Sequence, residues 1–101
     1  MIVSKTYEFE SEFPITLNQI ISATDFNNVY IQNLSHELDI YIGDETVSGS
    51  NYGIRMTPLL MLYLPFIDIN QNQNMHIIGS PGAKFSVFGW YGIHPVFNAF
   101  N

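Results

Sequence analysis

Cysteine is missing altogether from the 101 residues. That excludes disulfides, thiolate catalysis and Cys-ligated zinc or iron–sulfur centres, and it leans toward synthesis in a reducing compartment. Charge is scarce as well: 12% of residues are charged, where soluble domains usually carry roughly twice that share. Basic side chains are scarcer still, with Lys5, Arg55 and Lys84 set against nine acids for a formal charge of −6. Phosphate recognition needs clustered cations that release counterions, so no nucleic-acid partner is expected. The longest apolar run, at 59–64 and resumed past Pro65 by Phe66 and Ile67, falls far short of the roughly 20 residues of a membrane helix, so no membrane partner is expected. The first eight residues show no basic region leading into an apolar stretch. No signal peptide is read there, and the expectation is a soluble product made in the cytoplasm.

Catalytic constellations are equally thin. His36, His76 and His94 are far apart and lack His-Glu-x-x-His spacing, so they read as surface or hydrogen-bonded histidines. Asp44-Glu45 beside Ser48 and Asn51 has the oxygens a hard cation wants, yet a solvated turn is the simpler reading. The glycines at 43–53 lack the Gly-Lys-Ser/Thr ending of a phosphate loop. A hydrolase would need paired carboxylates at a cleft, and closeness of Asp39 to Asp44 or Glu45 across a turn does not make one. Asn33-Leu34-Ser35 matches a glycosylation acceptor at chance frequency. The chain therefore reads as a non-enzyme with no cofactor and no metal.

What is present is a supply of apolar residues, 47% of the chain, arranged in short alternating runs. Val3, Lys5, Tyr7 and Phe9 share one side of a first strand. The stretch 15–21 fits either a strand or one helical turn, and β-branching beside Pro14 favours the strand. Residues 25–28 read as a turn. Val29 and Ile31 oppose Tyr30 and Gln32, and Leu38, Ile40 and Ile42 oppose Asp39 and Tyr41; a short polar connection makes the two strands a hairpin. After Gly43 come a turn at 44–46, a Ser/Gly/Asn-rich connection and a strand at 53–56. The run at 59–64 is apolar on both faces, which implies burial twice over, between sheets or against a neighbour. A polar loop at 68–74, a strand at 75–78, a Gly/Pro turn and a last strand at 84–91 complete the set. The expectation is an all-β chain forming one antiparallel β-sandwich over residues 1–92, of about seven or eight strands, with jelly-roll connections one way to wind it.

The last strand carries more apolar surface than the interior needs. By alternation Phe88 and Trp90 point outward with Lys84 and Ser86, as do Tyr30 and Tyr41 on their strands. A segment without strand pattern follows at 93–101, an apolar arm bearing Ile93, Val96, Phe97 and Phe100. These eight residues form the expected interface, since a lone monomer rarely exposes such a patch. The bland alternative is that the arm caps its own sandwich.

The order Val29-Tyr30-Ile31-Gln32-Asn33, Ile40-Tyr41-Ile42-Gly43, Val47-Ser48, Gly53, Pro58, Ile77-Ile78-Gly79-Ser80-Pro81-Gly82 and Val87-Phe88-Gly89-Trp90 resembles small β-sandwich structural proteins of tailed bacteriophages. Such domains serve as head decoration, head-fibre or minor capsid proteins, or as tail modules. The resemblance covers about two thirds of the chain and rests on turn and strand signals. It implies a virion protein, made in the host cytoplasm, whose partners are copies of itself and other capsid or tail proteins. The run at 59–64 and the aromatic tail fall outside the pattern. The alternative is a carbohydrate-binding module for host attachment, with Tyr52, Tyr63, Trp90 and Tyr91 as stacking platforms and Asp44, Asn51 and Asn70 as hydrogen-bonding groups.

The strand register makes a direct prediction. Ile40→Asp should prevent folding because it buries a charge, whereas Asp39→Asn should be mild. Circular dichroism of the two variants checks this, and equal effects would refute the register.

Overall fold

A computed structural model of the chain describes residues 2–21, 28–64 and 75–90. The turn read at 25–28, apart from Asn28, the loop at 68–74 and the arm at 93–101 lie outside these residues. Among these residues the alternation of apolar and polar side chains produces eight strands: β1 (Ile2–Glu8), β2 (Ile15–Thr16), β3 (Asn28–Asn33), β4 (Ile40–Gly43), β5 (Ile54–Met56), β6 (Met61–Leu64), β7 (His76–Gly79) and β8 (Lys84–Trp90). They form two four-stranded antiparallel sheets, ordered β1-β8-β3-β6 and β2-β7-β4-β5. The pairs β1 with β8, β2 with β7, β3 with β6 and β4 with β5 are nested, so the chain is a long hairpin of hairpins wrapped over itself. That winding is the eight-stranded jelly roll.

The inward positions of both sheets supply the core. Val29, Ile31, Phe85 and Val87 from the first sheet meet Ile40, Ile42, Met56 and Ile77 from the second, with Phe9 and Leu17 filling the ends. Tyr7, Phe9 and Phe85 form an aromatic cluster with ring centroids 5.2–5.7 Å apart. Phe9 lies so close over β7 that a Cβ at Gly79 would stand 2.8 Å from its ring, so no larger residue fits there without displacement. The stretch 15–21 is divided. Only Ile15 and Thr16 pair as strand, and a 3-10 turn at Leu17–Gln19 follows. The Thr16 backbone N–H donates to Gln19 Oε1 at 2.8 Å, and Leu17 is fully buried.

The expected hairpin of β3 and β4 fails, and the run at 59–64 is not enclosed between sheets. β3 and β4 do not form a hairpin, because every connection except β4–β5 passes from one sheet to the other. The crossing after β3 is held by Asn33, whose fully buried amide donates from Nδ2 to the carbonyls of Leu38 and Met56, each at 2.9 Å, and accepts the Ser35 N–H at 2.9 Å. Ser35 in turn accepts the Lys84 N–H, and Leu34 donates to the Lys84 carbonyl. The corner is thereby bonded to both sheets. The run at 59–64 is not enclosed between the two sheets: β6 is an edge strand, and Leu59, Leu60 and Met61 are exposed within the single chain, which leaves the other alternative, burial against a neighbour.

Asn33→Ala leaves buried carbonyls and an N–H without partners. It should destabilise the fold by about 3 kcal/mol, read as a lower urea midpoint at unchanged slope. Gln32→Ala, whose amide makes one long bond at 3.4 Å to the Leu59 carbonyl, should cost less than about 1 kcal/mol.

Candidate functional site

The outer face of the first sheet is built by strict alternation along four paired strands. Register places Ser4, Phe88, Tyr30 and Tyr63 in one row, Thr6, Ser86, Gln32 and Met61 in the next, and Ile2, Trp90 and Asn28 in a third. Three of the predicted residues, Tyr30, Phe88 and Trp90, do come together. Tyr63 joins them: its ring stacks on Trp90 at 5.9 Å and 7°, and it lies 4.8 Å from Tyr30. Trp90 also touches Tyr30 at 5.5 Å and Phe88 at 5.8 Å. The Tyr63 hydroxyl donates to Asn28 Oδ1 at 3.2 Å, which orients the ring. The signal for Tyr63 was its two-residue spacing from Met61, masked by the unbroken hydrophobicity of the run.

This layer is uncharged over its three rows. At its far end Lys84 and Glu8 face each other as an ion pair at 3.6 Å. Burial, and then the neighbouring Tyr30, push the Tyr63 phenol above its ordinary range. Tyr30, Tyr63 and Trp90 are half-buried against one another, whereas Phe88, Met61 and Ile2 remain exposed. Between Phe88 and Met61 lies a shallow recess whose floor is formed by Tyr30, Gln32 and Ser86. The arm residues Ile93, Val96, Phe97 and Phe100 lie outside the described residues.

Tyr41 does not belong to this cluster. It sits on the outer face of the second sheet, on the opposite side of the sandwich, with its ring 4.9 Å from Tyr52. The separation follows from the corner at Asn33, which sends β3 and β4 to different sheets. A hollow beside Tyr41 is bounded by Glu12, Ser48, Ile78 and Ser80.

The same division splits the stacking set proposed for carbohydrate. Tyr63 and Trp90 lie on one face and Tyr52 on the other, while Tyr91 and Asn70 are outside the described residues. Asp44, Asn51 and Tyr52 do line one small recess. Their polar atoms, however, hold the turn. Asp44 Oδ1 accepts both the Thr46 hydroxyl and its N–H, which lowers the carboxyl below its usual range, and Asn51 Nδ2 donates to Thr46. Asp39 is bound by Arg55, at 2.7 Å from Nη2 and 2.8 Å from Nε. Among the described residues no three His, Asp or Glu side chains gather where they could hold a metal ion.

The rim of the face holds a strained turn. At 80–83 the Ala83 N–H donates to the Ser80 carbonyl, with Pro81 second and Gly82 third at φ 92°. At 57–60 the same pattern recurs: Leu60 N–H to Thr57 carbonyl, Pro58 second, and Leu59 third at φ 67°. Glycine is the residue that this third position favours.

The fold and this face define the class: an eight-stranded jelly-roll sandwich with a neutral aromatic layer on the outer face of one sheet. No family model and no curated sequence matches the chain. Among solved structures, it is similar to the Tobacco streak virus coat protein, in a dimer at 10% identity and TM-score 0.42, covering 93% of this chain and 89% of that one. A second structure of that coat protein is similar at 9% identity and TM-score 0.44, covering 94% and 90%.

Leu59→Gly should raise the unfolding free energy by about 0.5–1 kcal/mol, because relief of left-handed strain exceeds the added chain entropy. Thermal unfolding checks it; destabilisation would mean that the Leu59 side chain makes a contact worth more than the strain.

Proposed function

We propose that the chain is a non-enzymatic structural subunit of a bacteriophage virion, a capsid decoration or minor capsid protein that works by self-association and by docking on the particle. The observation that carries this reading is the uncharged aromatic face of the first sheet. Phe88 and Met61 stand 41% and 54% exposed beside Tyr30, Tyr63 and Trp90, and a contact that covers them removes apolar area from water at roughly 25 cal/mol per Å² without desolvating a charge. The contact residues are Tyr30, Phe88 and Trp90 with Ile93, Val96, Phe97 and Phe100 of the arm. Tyr41, on the far face, is left to a separate contact with another virion protein.

A jelly roll serves capsid proteins, lectins and other classes alike, so the fold admits this role without selecting it. The selection comes from the resemblance to phage structural proteins and from the uncharged rows of the first sheet's outer face, where contact meets no like charge although the chain as a whole carries −6. Carbohydrate binding has weaker support, because its aromatic set is divided between two faces.

Static light scattering of the purified chain should show an oligomer, and the chain should copurify with assembled particles. Phe88→Lys should shift the mass toward the monomer and reduce particle binding while leaving the melting temperature within a few degrees, since Phe88 lies outside the core. A wild-type chain that stays monomeric and is absent from particles defeats the proposal.

A further inference from the structure

Among the described residues the outermost strands are β1 and β6 in the first sheet and β2 and β5 in the second. β2, β5 and β6 run for two, three and four residues, whereas β1 runs for seven and contains no proline. Short edges give a foreign strand little to pair with, but an edge as long as β1 is a template for strand addition. The Phe9 N–H donates to the Ala83 carbonyl, so by the period of two Lys5 and Tyr7 turn their backbone groups toward β8. Those of Ser4 and Thr6 point the other way, to the free margin.

A charge stands in the inner row of this edge. Tyr7 is level with Phe85 and Lys5 with Val87, both of them core residues, so Lys5 belongs to the inward side of the strand. Val3 and Tyr7 on either side of it pack against the core, yet Lys5 is exposed. Such a side chain lays its stem along the sheet and keeps its ammonium in water at the margin. A strand added there would stand about 4.8 Å from β1 and cover that outlet, leaving the ammonium beside another inner row in place of water. A second copy of the chain has nothing to offset the loss when the two cores lie on the same side of the joined sheet. The inner rows of its short edges hold Ile15, Ile54, Met56, Leu62 and Leu64, and β1 meeting β1 brings a second lysine; none of them supplies a carboxylate. We infer that Lys5 closes the long edge of the first sheet to strand pairing between copies. Self-association is thereby directed away from this margin, and the inference stands whether or not the virion role does.

Light scattering of the full chain over a rising concentration series, with infrared spectroscopy to read new strand pairing, tests this. Lys5→Val should grow with concentration and time into assemblies well beyond the wild-type mass and gain intermolecular strand signal. Lys5→Arg should keep the wild-type mass. Adding Thr6→Pro to Lys5→Val should restore that mass, because proline there removes an N–H from the free margin and none from the β1–β8 ladder. Lys5→Thr serves in place of Lys5→Val, and Ser4→Pro in place of Thr6→Pro, if the first choice does not melt at the wild-type temperature. A Lys5→Val chain of wild-type mass at every concentration would overturn the inference. So would growth that persists with the proline, since that places the new contact elsewhere. The virion role is read separately: absence of the wild-type chain from purified particles removes the proposed function and leaves the role of Lys5 as it is.

Discussion

The buried amide of Asn33 is the contact on which the arrangement of the rest depends. It ends β3 in the first sheet while its two donated hydrogen bonds hold Leu38, just before β4, and Met56, at the end of β5, in the second. In a low-dielectric interior these bonds are strong, and leaving their carbonyls unmatched is costly. The chain is thus committed to crossing between sheets where a shorter turn would have folded it back as a hairpin. That crossing places Tyr30 and Tyr41, eleven residues apart in sequence, on opposite sides of the sandwich.

Once β3 lies between β8 and β6, the aromatic face follows from register alone. Tyr30 is bracketed by Phe88 and Tyr63 in one row, and Trp90 closes over Asn28 at the end of the sheet. The rings pack against one another at 4.8–5.9 Å, so part of the surplus apolar area is covered within the chain. Phe88, Met61 and Ile2 are left at the margins. The rings stack at the centre of the face and leave an open, shallow recess beside them, with no enclosed pocket among its lining residues.

The two proline turns show a local preference overridden by position. Gly82 and Leu59 occupy the same place in the same turn, with φ of 92° and 67°, and only the first is a residue for which that conformation is free of steric penalty. Leu59 remains exposed beside the apolar strip.

Much of the fold was legible in the residue pattern. The period of two in 29–33, 40–42 and 84–90 fixed which side chains point inward, and Val29, Ile31, Ile40, Ile42, Phe85 and Val87 are all buried. Gly43, the Asp44 turn and the Pro81-Gly82 turn ended strands where their backbone preferences require. The prediction of outward Tyr30, Phe88 and Trp90 rests on the same alternation. Strand partners were not legible. A two-residue period says which face a side chain takes but not which sheet the strand joins, so the supposed hairpin of β3 and β4, the placing of 59–64 between two sheets and the grouping of Tyr41 with Trp90 all failed. Asn33-Leu34-Ser35 was met as a chance glycosylation match, and its actual work could be seen only when residues 38 and 56 were brought to it. Local sterics and the hydrophobic period belong to the sequence; the choice among partners belongs to the tertiary structure, because it is decided by contacts between residues far apart along the chain.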